Sequence, residues 1–146
     1  MDEYIPSTSQ WVADQVDLYE RSGGTQGATL RETGLPVIIV TNRGRKTGAI
    51  RKTPLMRVVD EQGSYILVAS KGGAPDNPEW YYNLKADPNV EIRDRAEVSA
   101  RRVREVVDPT ERARVWEIAV KAFPAYADYQ ARAGRQIPLF LAEAVD

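Results

Sequence analysis

The 146-residue sequence predicts an α+β fold with a mostly antiparallel sheet, able to roll into a small barrel. Three observations lead there. Short β-branched or alternating runs recur with turn residues between them. Two pairs of these runs sit close enough to form hairpins. Helical patterns stand only before, between and after groups of strands, and no strand–helix–strand unit repeats, which argues against a parallel sheet.

Taken in order, Met1–Ser9 is a polar tail. Ser7 or Ser9 is placed to cap a helix from near Gln10, with Trp11, Val12, Val16, Leu18 and Tyr19 on its apolar side. Ser22-Gly23-Gly24 ends it, and Thr25–Gly34 is a Gly- and Thr-rich linker. Pro36–Asn42 is a continuous β-branched run, as expected of a strand buried on both faces. Thr53–Val59 and Ser64–Ser70 flank the turn Glu61-Gln62-Gly63 and predict a hairpin. Lys71–Pro75 breaks the sheet. A short helix, Pro78–Ala86, follows with Asn77 as its expected cap and ends at Asp87-Pro88-Asn89. Asn89–Asp94 and Ala96–Val107 predict a second hairpin. Asp108-Pro109-Thr110-Glu111 opens a helix, with an acidic cap, Pro at its first position and Glu at its third. Trp116, Ala119, Val120 and Phe123 then give one buried face before Pro124 interrupts it. Ile137–Leu141 is a terminal strand. Residues 1–33 are thus expected to be a tail, helix and linker, and residues 34–146 the sheet domain.

Composition narrows the chemistry. The chain has no Cys and no His. That excludes disulfides, Ser-His-Asp and Cys-His nucleophilic sites, the usual zinc sites and imidazole acid–base catalysis, and no metal is expected. An enzyme built this way must use carboxylates, Lys, Tyr or Ser, or take its reactivity from an organic cofactor. Runs such as Val37–Val40 and Ile66–Ala69 are far short of the roughly 20 residues of a membrane span. No secretory signal is apparent, so a cytoplasmic protein is expected.

A net charge of −1 hides an asymmetry: between Glu32 and Asp60 there is no acid, but six bases. Five of them, Arg43, Arg45, Lys46, Arg51 and Lys52, surround the turn that contains Gly44 and Gly48. The glycines permit positive φ, so backbone N–H groups can form an anion-binding concavity beside the cations. This is not a Walker loop, because its glycine spacing and following helix are missing. The competing reading is a solvated hairpin tip. A second stretch, ASKGGAPDNPEWYYNLKADP at 69–88, pairs a strand end with a helix start. Gly72 and Gly73 allow close approach of a planar ligand, Ser70 supplies a hydroxyl, Lys71 a cation and Trp80 a flat face. Taken singly, Trp80, Tyr81 and Leu84 are better explained as core. A third, FPAYADYQ at 123–130, spaces Phe123, Tyr126 and Tyr129 three apart, as either a satellite cluster or an aromatic wall over a pocket.

Together the three stretches resemble the deazaflavin (F420)-dependent nitroreductase family of actinobacteria. The carrying residues are Gly34-Leu35-Pro36, Gly44–Gly48, Thr53-Pro54-Leu55, Ala69–Gly73, Asn77-Pro78-x-Trp80-Tyr81-x-Asn83-Leu84-Lys85-Ala86-x-Pro88 and Tyr126-x-x-Tyr129. The resemblance implies a split β-barrel related to flavin-binding oxidoreductases, and coenzyme F420 as cofactor. Arg45, Lys46, Thr47, Gly48 and Arg51 would hold its phosphate and oligoglutamate tail, with Lys71 a further cation. Pro54, Ala69, Ser70, Gly72, Gly73, Asn77, Pro78, Trp80 and Asn83 would line the deazaflavin and its ribityl chain. Hydride would pass to a small electron-poor acceptor, a quinone, nitro compound or activated enone. Ser70, Tyr126 and Tyr129 are the candidate catalytic groups, in a substrate pocket with Met56 and Phe123. The sequence departs from the family pattern at Asn42-Arg43, where Thr-Thr is frequent, and at Ile50, where Pro is common. Met56 and Phe123 stand where Tyr is frequent, which implies quinone or enone reduction over nitroimidazole reduction. Two alternatives stay open: an FMN-dependent oxidoreductase of the same fold, and a non-catalytic module for anionic ligands. Nucleic acid is not expected, since the basic residues are confined to one turn. The N-terminal helix has a peripheral membrane contact as an open possibility, and oligomeric state is not specified.

Overall fold

The computed structural model describes residues 3–29 and 34–145. Helix α1 (Gln10–Arg21) leads into strands β1 (Val37–Arg43), β2 (Ile50–Met56) and β3 (Tyr65–Val68). A single 3-10 turn at Lys71–Gly73 precedes α2 (Glu79–Ala86), then come β4 (Asn89–Asp94), β5 (Glu97–Glu105), α3 (Pro109–Ala122), α4 (Ala125–Ala133) and β6 (Leu139–Ala144). The six strands form one curled antiparallel sheet in the order β2-β1-β4-β5-β6-β3, a split barrel opened between β2 and β3. The α+β expectation therefore holds. Part of the predicted linker, residues 30–33, lies outside the described residues.

The core explains the order. Val37 through Val40 are all buried, as a continuous apolar run requires when both sheet faces are covered. Ile38 and Val40 face Leu84 of α2 and Leu67, Ile92 and Phe140, while Ile39 meets Val16 and Tyr19 of α1. On the far side Val115 and Ala119 of α3, with Tyr126 and Ala133 of α4, cover Ile66, Val68, Leu139 and Leu141. The predicted α3 face is shifted: Val115 and Ala119 are buried and Trp116, Val120 and Phe123 only packed against them. Asp108 caps α3, accepting a hydrogen bond from the Glu111 N–H at 2.9 Å, as its sequence implies.

Four local expectations are corrected. The hairpin of Thr53–Val59 with Ser64–Ser70 does not form. β2 pairs with β1 through the basic turn, β3 pairs with β6, and only the bridge Val59–Tyr65 remains of the predicted ladder. The two runs take opposite edges of the sheet, β2 beside β1 and the fully buried β3 beside β6, so the chain crosses the barrel's opening between them instead of closing a ladder. Asn77 does not cap α2; Pro78 occupies that position and the Asn77 side chain accepts from Arg135 instead. Neither Ser7 nor Ser9 caps α1 through its side chain; the Ser7 hydroxyl accepts from the Ser9 N–H. Pro124 does more than interrupt a helix. It stands at the N-cap of α4, which Gly134 closes in the left-handed conformation at φ 67°.

Candidate active site

A cleft of about 730 Å³ opens beside β2 and α2. That is the size of a site for a cofactor-sized ligand. The β2 residues Arg51–Met56 form its floor. Ser70, Lys71 and Gly72 form one wall, Pro78, Glu79, Trp80 and Asn83 of the α2 start another, and Phe123, Tyr126 and Tyr129 close an end. The N-terminal arm completes the enclosure with Ile5, Ser7, Ser9, Trp11, Val12 and Gln15. This arm is held to the edge of β2, where the Ile5 N–H donates to the Ile50 carbonyl and the Ile50 N–H to the Glu3 carbonyl.

The aromatic end is packed. Phe123 and Tyr126 meet edge-on at 4.9 Å between ring centres, and Tyr126 and Tyr129 at 6.2 Å. Pro124 starts α4, so Tyr126 and Tyr129 fall one turn apart on the same face. Tyr126 is 5 % exposed. Burial, and then the neighbouring Tyr129, pushes its phenol above the ordinary value, so it stays protonated at neutral pH. The side-chain hydroxyls of Ser70, Tyr126 and Tyr129 make no hydrogen bond among the described residues. All three residues line the cleft, so these donors are uncommitted in one cavity. Met56 packs with Phe123 and Tyr129 against the same cluster.

Three cations also line the cleft, Arg51 and Lys52 from β2 and Lys71 beside Ser70. Lys52 is held by the Glu20 carboxylate at 2.7 and 2.8 Å, and Lys71 by Asp76 at 2.9 Å. Arg51 makes no ion pair among the described residues. The basic turn itself stands at the rim. The Arg45 N–H donates to Asn83 Oδ1, its guanidinium meets Glu79 at 3.1 Å and lies over the Tyr82 ring. Lys46, Thr47 and Gly48 are exposed just beyond. The concavity is more closed than the glycines imply. Only Gly48 has positive φ, at 72°, and the N–H groups of Gly44, Arg45, Gly48 and Ala49 all have acceptors inside the protein. Cations at the rim and cleft, rather than a ring of free N–H groups, are what an anion would meet here.

Of the residues singled out by sequence, the cleft brings together Arg51, Pro54, Met56, Ser70, Lys71, Gly72, Pro78, Trp80, Asn83, Phe123, Tyr126 and Tyr129. Trp80 serves both readings, lining the cleft while its ring packs 6.1 Å from Phe140. Arg45, Lys46, Thr47 and Gly48 form the rim. Ala69, Gly73 and Asn77 stand behind the wall: Ala69 is fully buried, Gly73 packs on the α4 backbone, and Asn77 is bonded to Arg135. Sequence reasoning missed the N-terminal arm as part of the site, Lys52 as an ion-paired lining residue, and Arg135. For the arm a signal existed, since its aromatic and apolar residues were visible. For Arg135 none did, because every partner of its guanidinium lies far away in sequence.

The family model described as F420H(2)-dependent quinone reductase matches residues 11–144. The chain belongs to this family. It is an F420-dependent reductase, with coenzyme F420 as its cofactor. An F420H(2)-dependent quinone reductase of Mycobacterium tuberculosis is 41 % identical over 108 residues, covering 71 % of this chain and 70 % of that one. A putative second one from the same organism is 34 % identical over 118 residues, 79 % of this chain and 94 % of that one. A solved F420-H2 dependent reductase superposes with a TM-score of 0.68 at 46 % identity, covering 74 % of this chain and 94 % of its own. Another solved structure, described as a domain-swapped dimer, gives 0.71 at 41 % identity over 94 % of this chain and all of its own. The cleft fits the family's cofactor: aromatic side chains and cations line the same cavity, and Gly72, at φ 64°, has open space where a Cβ would stand. Among the described residues no helix is long and apolar enough to cross a membrane.

Proposed function

We propose that this reductase transfers hydride to quinones and activated enones, and to nitro compounds only weakly. The observation that carries it is the meeting of three uncommitted hydroxyls, Ser70, Tyr126 and Tyr129, with the apolar groups Met56 and Phe123 in one end of the cleft. When bound, F420H2 supplies the hydride for that acceptor. Every other task falls to this chain. Arg51 and Lys71, with Arg45 and Lys46 at the rim, attract the phosphate and the glutamate tail. Trp80 and Pro78 offer flat apolar surface, and Gly72 lets a ring approach the backbone. Tyr126, kept protonated by burial, donates a hydrogen bond to an acceptor oxygen, and Tyr129 and Ser70 orient it. Met56 and Phe123 leave that pocket less polar than tyrosines would, which suits a quinone or lactone ring better than a nitro group. Ile5 and Trp11, both exposed and both lining the cleft, are the groups that an acceptor dissolved in a bilayer would meet first.

Titration with F420 and with FMN, followed by oxidation of F420H2 against quinones, enones and nitroimidazoles, tests this. Binding of F420 with turnover of quinones or enones is expected. Preference for FMN, or nitroimidazoles as the fastest acceptors, overturns it.

A further inference from the structure

Arg135 follows α4 directly, and its guanidinium sits inside the loop 69–77 that forms one wall of the cleft. Its Nε donates to the Ala74 carbonyl at 3.1 Å, Nη1 to Asn77 Oδ1 at 2.6 Å, and Nη2 to the Ser70 and Ala69 carbonyls at 3.1 and 3.3 Å. Four acceptors from four residues of one loop thus converge on one planar fork. The backbone of Arg135 is itself fixed. Gln130 of α4 donates to its carbonyl, and the Ile137 N–H donates back to Gln130 Oε1 at 3.0 Å. Arg132 of α4 adds a bond to the Gly72 carbonyl at 3.2 Å. At Gly73, with φ 87°, an added Cβ would lie 3.0 Å from the Tyr129 carbonyl oxygen, so loop and helix backbones are already in contact.

We infer that Arg135 is the positioning residue that sets the cofactor-side wall, Ser70 to Gly72, at a fixed distance from Tyr126 and Tyr129 on α4. The inference rests on the cleft being the F420 site. Arg135 itself lies outside the cleft lining and acts through the loop. Carbonyls drawn toward a common centre repel one another unless a cation lies between them. Only a fork of several fixed N–H groups bonds four of them at once; a Lys ammonium has three donors and no plane. Without that fork, the carbonyl of buried Ala69 loses its Arg135 donor, that of Ser70 keeps only the Gly73 N–H, and the wall is free to move.

The test compares Arg135→Met and Arg135→Lys with Arg101→Met. Arg101 also donates to backbone carbonyls, those of Gly63 and Ala142, but on the sheet away from the loop. Two quantities are measured: amide hydrogen exchange at Gly73 and Ala74, whose N–H groups bond the Ser70 and Lys71 carbonyls, and the Kd for oxidised F420 by fluorescence. Arg135→Met is expected to speed that exchange tenfold or more and to weaken F420 tenfold or more. Arg135→Lys should fall between it and the unmodified chain, and Arg101→Met should lower thermal stability with neither effect. If Arg135→Met does not fold, Arg135→Lys is judged by the same two readouts. Loop exchange and Kd unchanged while stability falls would reduce Arg135 to a structural residue and overturn the inference. If the unmodified chain binds no F420, the cofactor reading fails instead, and the exchange rates alone decide the role of Arg135.

Discussion

A buried phenol with no hydrogen-bond partner among the described residues, opening on a cavity, is a donor held in reserve. Tyr126 is that group. Its pKa is raised by burial and then by Tyr129, so the proton is present throughout the neutral range and is lost only well above pH 10. Turnover should therefore show no loss attributable to this residue between about pH 6 and 9. Tyr126→Phe keeps the ring and removes the donor. It is expected to lower kcat about 10- to 100-fold, toward the lower end of what one general acid or oxyanion donor contributes, because water can replace it in part. The F420 Kd should change less than about twofold, since the role proposed for the hydroxyl is toward the acceptor. Stopped-flow oxidation of F420H2 and fluorescence titration check both halves, and an unchanged kcat would remove Tyr126 from the chemistry. This residue was legible in the sequence through its spacing from Phe123 and Tyr129. Its lack of a partner was not, because that depends on everything else that surrounds the ring.

Between elements, ion pairs hold cations at the rim and in the cleft before any ligand arrives. Arg45 of the basic turn meets Glu79 in the first turn of α2, and Lys71 meets Asp76. On the proposed binding mode these carboxylates compete with the phosphate and glutamates for the same cations, so binding would displace them. Exposed pairs of this kind contribute up to about 1 kcal/mol. Glu79→Gln should accordingly tighten F420 about two- to fivefold at low salt, with the gain fading as salt screens the site; isothermal titration at two ionic strengths reads it. Gly73→Ala tests the packing of α4 on the loop. Both the positive φ and the backbone in its way oppose a methyl group there, so a loss of about 1–3 kcal/mol is expected in thermal or urea unfolding. The sequence showed α1, β1, α2, the β4–β5 hairpin and the α3 cap, because each is written in local spacing or cap chemistry. It misplaced β3, whose partner β6 begins some seventy residues on. It passed over α4 because a proline that ends one helix also starts the next.

Across the whole molecule tyrosines serve as joints. Tyr19 of α1 donates to the Val37 carbonyl of β1 and accepts from the Arg95 N–H at the β4–β5 turn. Tyr65 of β3 donates to Asp94 of β4 at 2.7 Å, and Tyr81 of α2 to Glu105 of β5 at 3.2 Å. Burial leads the upward shift at each: Tyr65 is pushed up to about 12, and Tyr19, Tyr81 and Tyr4 also lie above the ordinary phenol. The sign follows from where the proton is held more tightly. A phenol with a raised pKa in the folded chain stabilises it fully below the unfolded value near 10. That contribution is lost as pH rises through the folded value. The chain has no histidine, so no imidazole titrates between pH 6 and 9. The melting temperature should be nearly flat across that interval and fall steeply above about pH 10, with phenolate absorbance near 295 nm appearing together with unfolding. Tyrosines that instead ionised near pH 10 in a chain still folded would show that these joints do not hold the elements together. The same joints tie α1 to the sheet, so we expect α1 to melt in the same transition as the barrel. Tyr19→Phe, which leaves the Arg95 N–H and Val37 carbonyl short of a partner, should lower that single transition by about 1–3 kcal/mol rather than release α1 in a separate early step.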